Sequence, residues 1–143
     1  MSMEIAKDVN ALVNMTMQEL LNNVTNKQGI MHTLEQLMTK RNNLEMENVV
    51  KRSYQIKHQQ RINEITAEIR KEVAEATTSD GKPEFSNDTK RTAETQIRAA
   101  KNEEIIYLTK QIESDKELIT KNDLIINNLR KLIEISLGLL KTL

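Results

Sequence analysis

The sequence lacks cysteine and tryptophan, has one proline and three glycines, and only 2% of its residues are aromatic. Without cysteine the chain has no disulfide, no thiolate nucleophile and no zinc knuckle. So few aromatic residues disfavour a compact mixed α/β core, because aromatic side chains supply much of the buried area in such cores. Because glycine and proline are scarce, long stretches of the chain contain no residue that would interrupt a helix. These absences favour a helical protein built on aliphatic side chains.

The charges balance, with 21 basic and 21 acidic side chains in 143 residues. Proteins that bind nucleic acid mainly by electrostatics are usually basic overall, so this balance counts against that class. No apolar run reaches the ~20 residues that a membrane span requires. Glu4, Lys7 and Asp8 interrupt any signal-peptide core at the N-terminus. We therefore expect a single domain that is cytoplasmic and does not associate with a membrane.

Isoleucine recurs at every seventh position of the C-terminal third. The positions are Ile105, Ile112, Ile119, Ile126 and Ile133. A seven-residue apolar repeat indicates a helix with one face covered by partner helices. This face is wider than one partner helix covers, because it is adjoined by four more apolar residues, Leu118, Ile125, Leu132 and Leu139. The pattern predicts an all-α fold: a long, coiled-coil-like antiparallel helical hairpin, completed to a three- or four-helix bundle by an N-terminal helix or by oligomerisation.

Turn residues occur together at one point in the chain, TTSDGKPEFSND, where Gly81 and Pro83 favour a reversal. Either Ser86 or Asn87 could cap the helix that follows. These signals divide the single domain 1–143 into an N-terminal helix or overhang (1–28), a first arm (29–77), a tip loop (78–87) and a second arm (88–143).

A hairpin closed at this loop places residue i opposite about residue 165 − i. Arg61 then faces Glu104, and Asn43 faces Asn122. The apolar repeat blurs between residues 45 and 61, as an inserted stutter would make it. Residues 1–21 extend past the end of the second arm, and they are too apolar to remain in water. Either the chain bends near residues 25–29 and this segment folds back, or it pairs with a second copy; overall we expect a homo-oligomer.

Signals of catalysis are weak. His32 and His58 lack the spacing of a metal site, and the chain has no glycine-rich phosphate loop. Its carboxylates recur at the spacing of helix charge pairs, as Glu117 and Lys121 do. We therefore expect a protein that is not an enzyme and that uses neither a cofactor nor a metal.

One candidate binding surface is the segment KRSYQIKHQQR, residues 51–61, which contains no acidic residue. It offers Lys51, Arg52, Lys57 and Arg61 for phosphate groups and Tyr54 for base stacking. The alternative is that these cations pair with acids of the second arm. Under the first interpretation the segment binds nucleic acid.

The second candidate surface is the tip, where Lys82, Lys90 and Arg91 flank Phe85. An exposed aromatic residue among cations is typical of a protein-docking surface. The alternative is that Phe85 packs back on Ala76 and Ala93 and only seals the turn.

The run Gly81-Lys82-Pro83-Glu84-Phe85-Ser86-Asn87, with Arg91 after it, resembles the GKP-x-aromatic-Ser/Thr-Asn … Arg turn of small helical proteins encoded by bacteriophages and prophages. The resemblance implies a bacterial cytoplasmic setting and brings no active-site residues. The resulting hypothesis is a non-enzymatic, coiled-coil interaction or assembly protein that docks on a protein partner through the hairpin tip. The alternatives are a nucleic-acid-binding accessory factor in phage replication or recombination, and an inhibitor of a host enzyme or defence protein.

Overall fold

A computed structural model of the chain describes residues 3–22 and 26–143. In these residues it contains four α-helices and no strand: α1 (Met3–Asn22), α2 (Lys27–Glu75), α3 (Asp88–Lys101) and α4 (Glu103–Thr142). The predicted all-α fold is therefore confirmed, and α2 packs against α4. No described helix is long and apolar enough to cross a membrane.

The second helix, α2, begins at an asparagine cap. The Asn26 side chain accepts a hydrogen bond from the backbone N–H of Gly29 at 3.1 Å, and its carbonyl accepts one from Ile30 at 3.0 Å. These bonds satisfy donors that the first turn of a helix leaves unpaired. The predicted bend over residues 25–29 thus coincides with the start of α2, although Thr25 itself lies outside the described residues.

The chain divides into two compact units, of which unit 1 comprises Met1–Lys51 and Glu117–Leu143. Its core consists of the buried side chains Leu20, Leu37, Leu129, Leu132 and Ile133. Leu20 comes from α1, and the half-buried Leu12 and Met17 of the same helix pack on this core. Each fully buried aliphatic side chain contributes about 1.5–3 kcal/mol. The N-terminal segment therefore folds back as a third helix on α2 and α4.

Unit 2 comprises Arg52–Lys116. Its core consists of the buried side chains Ile65, Ile69, Val73 and Leu108, with Ile62, Phe85, Ala99 and Ile105 packed against them. This core brings together α2, the tip loop, α3 and the beginning of α4. We call it the tip core.

The isoleucines that recur at every seventh position lie on the inner face of α4. Ile119, Ile126 and Ile133 are buried, while Ile105 and Ile112 are half-buried. A second row completes the heptad with the buried residues Leu108, Asp115, Asn122, Leu129 and Ser136. Three of these five are polar, which is why the row is difficult to recognise in the sequence. The prediction that Leu118 belongs to the widened apolar face of this helix is wrong, because 37% of the surface of Leu118 is exposed.

The repeat in α2 does not slip between residues 45 and 61, so the predicted stutter is wrong. In unit 1, Leu44, Asn48 and Lys51 follow one another at spacings of four and three residues and are all at least half-buried. In unit 2, Gln55, His58 and Ile62 continue the same spacing and are half-buried too. The heptad persists, but polar side chains occupy it, and an analysis of apolar residues alone cannot detect it.

The second arm is two helices instead of one. Asn102 has extended backbone angles (φ −71°, ψ 120°) and stands between α3 and α4. Its backbone N–H donates to the carbonyl of Ala99 at 3.2 Å, and its side chain accepts from the N–H of Ile105 at 2.9 Å. It therefore closes one helix and caps the next. Glu103 and Glu104, acids in the first turn of α4, complement this N-terminus.

Candidate functional site

In the structure the tip loop spans residues 76–87, so it starts two residues earlier than predicted, and it begins as a short hydrogen-bonded reversal. The N–H of Thr78 donates to the carbonyl of Lys82 at 2.8 Å, and Glu84 donates to Ala76 at 2.9 Å. Thr77 and Pro83 form an isolated antiparallel bridge between these bonds. Gly81, with φ +75°, adopts the left-handed conformation that a residue with a β-carbon rarely adopts. The loop therefore has a defined backbone conformation.

Of the two interpretations of Phe85, exposed for docking or packed back on the protein, the structure shows the second. Its ring is half-buried against the tip core. The guanidinium carbon of Arg98 lies 5.8 Å from the ring centroid, within the range of a cation–π contact. Arg98 is itself oriented by Glu94, whose carboxylate accepts from its Nε at 2.8 Å. Phe85 thus attaches the loop to the tip core, as the alternative interpretation of the sequence proposes.

Asn87 caps α3. It has extended backbone angles, and its side-chain oxygen accepts from the N–H of Lys90 at 2.9 Å. Arg91, in the first turn of α3, donates from Nε to the carbonyl of Phe85 at 3.1 Å and lies 3.7 Å from the carboxylate of Asp88. Arg91 is therefore engaged in holding the loop to the helix.

The four tip residues proposed from the sequence thus fall into two pairs. Phe85 and Arg91 support the loop from within. Lys82 is exposed on the loop, together with the carboxylates of Asp80 and Glu84, and Lys90 is exposed in the first turn of α3. Within the described residues, no ion pair involves Lys82 or Lys90. The surface that the tip presents is charged and is supported by an apolar contact.

In the basic segment, Arg61 is committed to a partner within unit 2. Its Nε donates to Oε1 of Glu104 at 2.8 Å and its Nη2 to Oε2 of the same carboxylate at 3.2 Å, while Glu64 accepts from Nη1 at 3.4 Å. The hydrogen bond from Arg61 lowers the pKa of Glu104, and the same bond raises the pKa of Arg61. Arg61 and Glu104 are the residues that the hairpin register placed opposite each other.

The other members of the basic segment do not form one exposed band. Lys51 is half-buried, and both Lys51 and Arg52 already interact with other groups. Tyr54, 47% exposed, stacks on His58 with ring centroids 6.3 Å apart and planes 18° apart. Lys57 is exposed and follows Tyr54 by three residues, so both lie on the side of α2 that carries Arg61.

Among the described side chains, Nδ1 of His58 is the one buried polar atom that has no hydrogen-bond partner. Metal-binding geometry is not found there: no group of three or more His, Asp or Glu in the described residues is placed to bind a metal ion.

Sequence reasoning missed an apolar groove in unit 1. It lies between the beginning of α2 and the end of α4 and is lined by Met31, Leu34, Leu137 and Leu140, with Lys27, Glu35 and Lys141. Met31 and Leu137 are each 45% exposed. The sequence signal was present but ambiguous, because Met31 and Leu34 also fit the core repeat.

Comparison of the chain with protein-family models, with curated proteins and with solved structures found no match.

Proposed function

We propose that the protein is a non-enzymatic, helical interaction protein that docks on a protein partner through its tip loop. The observation that carries this proposal is the loop itself. Two antiparallel helices can be joined by about 2–5 residues, whereas twelve residues, 76–87, separate Glu75 from Asp88 here. Loops longer than a connection requires are often functional.

The loop is also anchored more firmly than a simple connection needs. Phe85 packs on the tip core, Arg98 covers its ring, and Arg91 binds its carbonyl oxygen. A loop that is already ordered loses less conformational entropy when a partner binds. This anchoring therefore supports a recognition element that binds without refolding.

The chemistry of the partner follows from the exposed side chains. Lys82 on the loop and Lys90 in the first turn of α3 are both exposed, and neither forms an ion pair within the described residues. They suit a protein surface that presents carboxylates, with Asp80 and Glu84 selecting against a uniformly acidic partner. The resemblance of the tip to phage and prophage proteins makes the bacterial cytoplasm the proposed setting.

Charge reversal tests the docking surface. The immobilised double variant Lys82→Glu/Lys90→Glu should fail to capture from a native-host extract the protein that the unmodified chain captures. The matched control Lys71→Glu/Lys110→Glu makes the same change of charge on exposed helix positions of unit 2. It should retain capture. Equal capture by both variants would contradict docking through the tip.

A second candidate function, nucleic-acid binding, is favoured by one observation: the exposed Tyr54 and Lys57 share a side of α2 with Arg61. The engagement of Arg61 with Glu104 counts against it. Titration with single- and double-stranded DNA at low and moderate salt tests this candidate, and loss of binding in Lys57→Glu but not in Lys71→Glu would support it. Inhibition of a host enzyme would use the same tip, and assay of the captured partner's activity distinguishes it from assembly.

A further inference from the structure

The apolar groove in unit 1 is open on the side that α1 does not cover. In the core of unit 1, Leu12 and Leu20 of α1 pack with Leu37 and Leu129, and Thr16 of the same helix is buried. Among the described residues, none of α1 lines the groove of Met31, Leu34, Leu137 and Leu140, whose other lining residues are Lys27, Glu35 and Lys141. An apolar face of this kind on a folded helical unit is typical of an interaction surface.

We propose that a second copy of this chain covers the groove and forms a dimer with two-fold symmetry. Groove packs on groove, α2 runs antiparallel to α2 of the other copy, and α4 runs antiparallel to its counterpart. The symmetry axis crosses the two grooves at Met31 and Leu137. The inference is independent of docking at the tip.

The charges beside the groove select this occupant. On α2, Lys27, Met31 and Glu35 follow at intervals of four residues, so the lysine and the glutamate lie about 12 Å apart along the axis, at 1.5 Å per residue. On α4, Lys141 and Glu134 lie one turn on either side of Leu137. Both helices therefore place a cation at the outer end of the groove and an acid further in.

These four charged side chains are exposed, and no ion pair within the described residues involves any of them. In the proposed antiparallel arrangement, Lys27 of each copy meets Glu35 of the other, and Lys141 meets Glu134. The alternative two-fold arrangement, with parallel copies, would place Lys27 beside Lys141 of the other copy. Like charges in contact destabilise an interface, so the charge pattern selects the antiparallel dimer.

Charge exchange tests the dimer directly by sedimentation velocity across the micromolar range. The unmodified chain should sediment as a dimer. Lys27→Glu/Lys141→Glu and Glu35→Lys/Glu134→Lys should each self-associate more weakly by about tenfold or more. An equimolar mixture of the two variants should restore the dimer, because opposite charges then meet again. Circular dichroism checks that each variant remains helical.

A cysteine cross-link tests the position of the axis, since the natural sequence contains no cysteine. Met31→Cys should form a disulfide-linked dimer on mild oxidation. Met46→Cys, at a position of α2 that is 63% exposed, is the matched control and should remain monomeric in the denaturing gel. A monomeric unmodified chain, a dimer unaffected by either charge variant, or cross-linking at residue 46 but not at residue 31 would overturn the proposal.

Discussion

The side chains of Asn122 and Asn48 hydrogen-bond to each other inside unit 1, with Nδ2 of Asn122 donating to Oδ1 of Asn48 at 3.0 Å. Asn48 is 2% exposed and Asn122 is 5% exposed. The Nδ2 of Asn48 donates in turn to the carboxylate of Asp123 at 2.9 Å. A buried amide must find a hydrogen-bond partner, and the asparagine side chain is too short to reach one a helical turn away. The pair therefore favours this alignment of α2 on α4 over alignments shifted by a turn.

Removal of this amide should be costly. Asn48→Ala leaves the buried amide of Asn122 without its acceptor, so the free energy of unfolding should fall by about 1–3 kcal/mol. Asn43→Ala, at an exposed position of the same helix, should change it by less than about 0.5 kcal/mol. Urea unfolding followed by circular dichroism measures both. Equal effects of the two substitutions would show that the buried pair contributes nothing to stability.

The contrast between Asn43 and Asn48 also shows why the predicted register is only approximate. The register predicted from charges pairs Arg61 with Glu104 correctly but pairs Asn122 with Asn43, five residues away from its actual partner Asn48. Long side chains such as Arg and Glu span more than a helical turn, so a charge match tolerates a shift that a short amide does not. Because polar residues occupy part of the inner faces, the heptad cannot be recognised from apolar positions alone.

The ion pair of Arg61 and Glu104 should make stability depend on pH. The hydrogen bond from Arg61 lowers the pKa of Glu104. The pair therefore stabilises the folded protein above the ordinary glutamate pKa, and this contribution disappears as the pH falls through the lowered value. The difference in unfolding free energy between the unmodified chain and Glu104→Gln should follow that course in urea titrations at several pH values.

The control for this titration is Glu103→Gln. Glu103 stands beside Glu104 in the first turn of α4, so both carboxylates interact with the helix N-terminus, but only Glu104 binds Arg61. The pH-dependent difference should be smaller for Glu103→Gln, and in an Arg61→Gln background the difference for Glu104→Gln should fall to a similar size. Identical pH profiles for the two glutamine variants would contradict the role of the pair.

Phe85 should matter for the stability of the tip. Full burial of a phenylalanine makes substitution by alanine cost 3–5 kcal/mol; for the half-buried Phe85, we expect Phe85→Ala to cost about 1–3 kcal/mol. Hydrogen exchange should accelerate in residues 76–91. Ile97→Ala, at a position of α3 that is 50% exposed, should produce a smaller loss of stability and no local increase in exchange. Unchanged exchange in Phe85→Ala would mean that the ring does not anchor the loop.

The tip illustrates how far a short sequence motif can be interpreted. The turn at Gly81 could be predicted and the cap assigned to either Ser86 or Asn87, because each depends on residues within a few positions; the structure shows Asn87 as the cap. The sequence leaves the burial of Phe85 open between two interpretations, because it depends on side chains of α2 and α4 that are distant in sequence. Arg91 was predicted to present its charge, and the structure shows instead that it binds the carbonyl of Phe85.

Asn102 should stabilise the junction between α3 and α4. Asn102→Ala removes the cap for the N–H of Ile105, so the free energy of unfolding should fall by about 0.5–2 kcal/mol. Asn102→Asp retains an oxygen at the same position and should retain most of the stability. Thermal unfolding monitored by circular dichroism compares the three proteins. If alanine and aspartate have the same effect, the asparagine is not acting as a cap.

Site-specific photo-crosslinking in native-host cells can detect docking through the tip loop. A photoreactive amino acid at position 82 should give one discrete adduct with a partner protein. The same amino acid at position 110, on the exposed face of α4 in unit 2, should give none. Adducts at position 110 in place of position 82, or no adduct at position 82, would contradict the account.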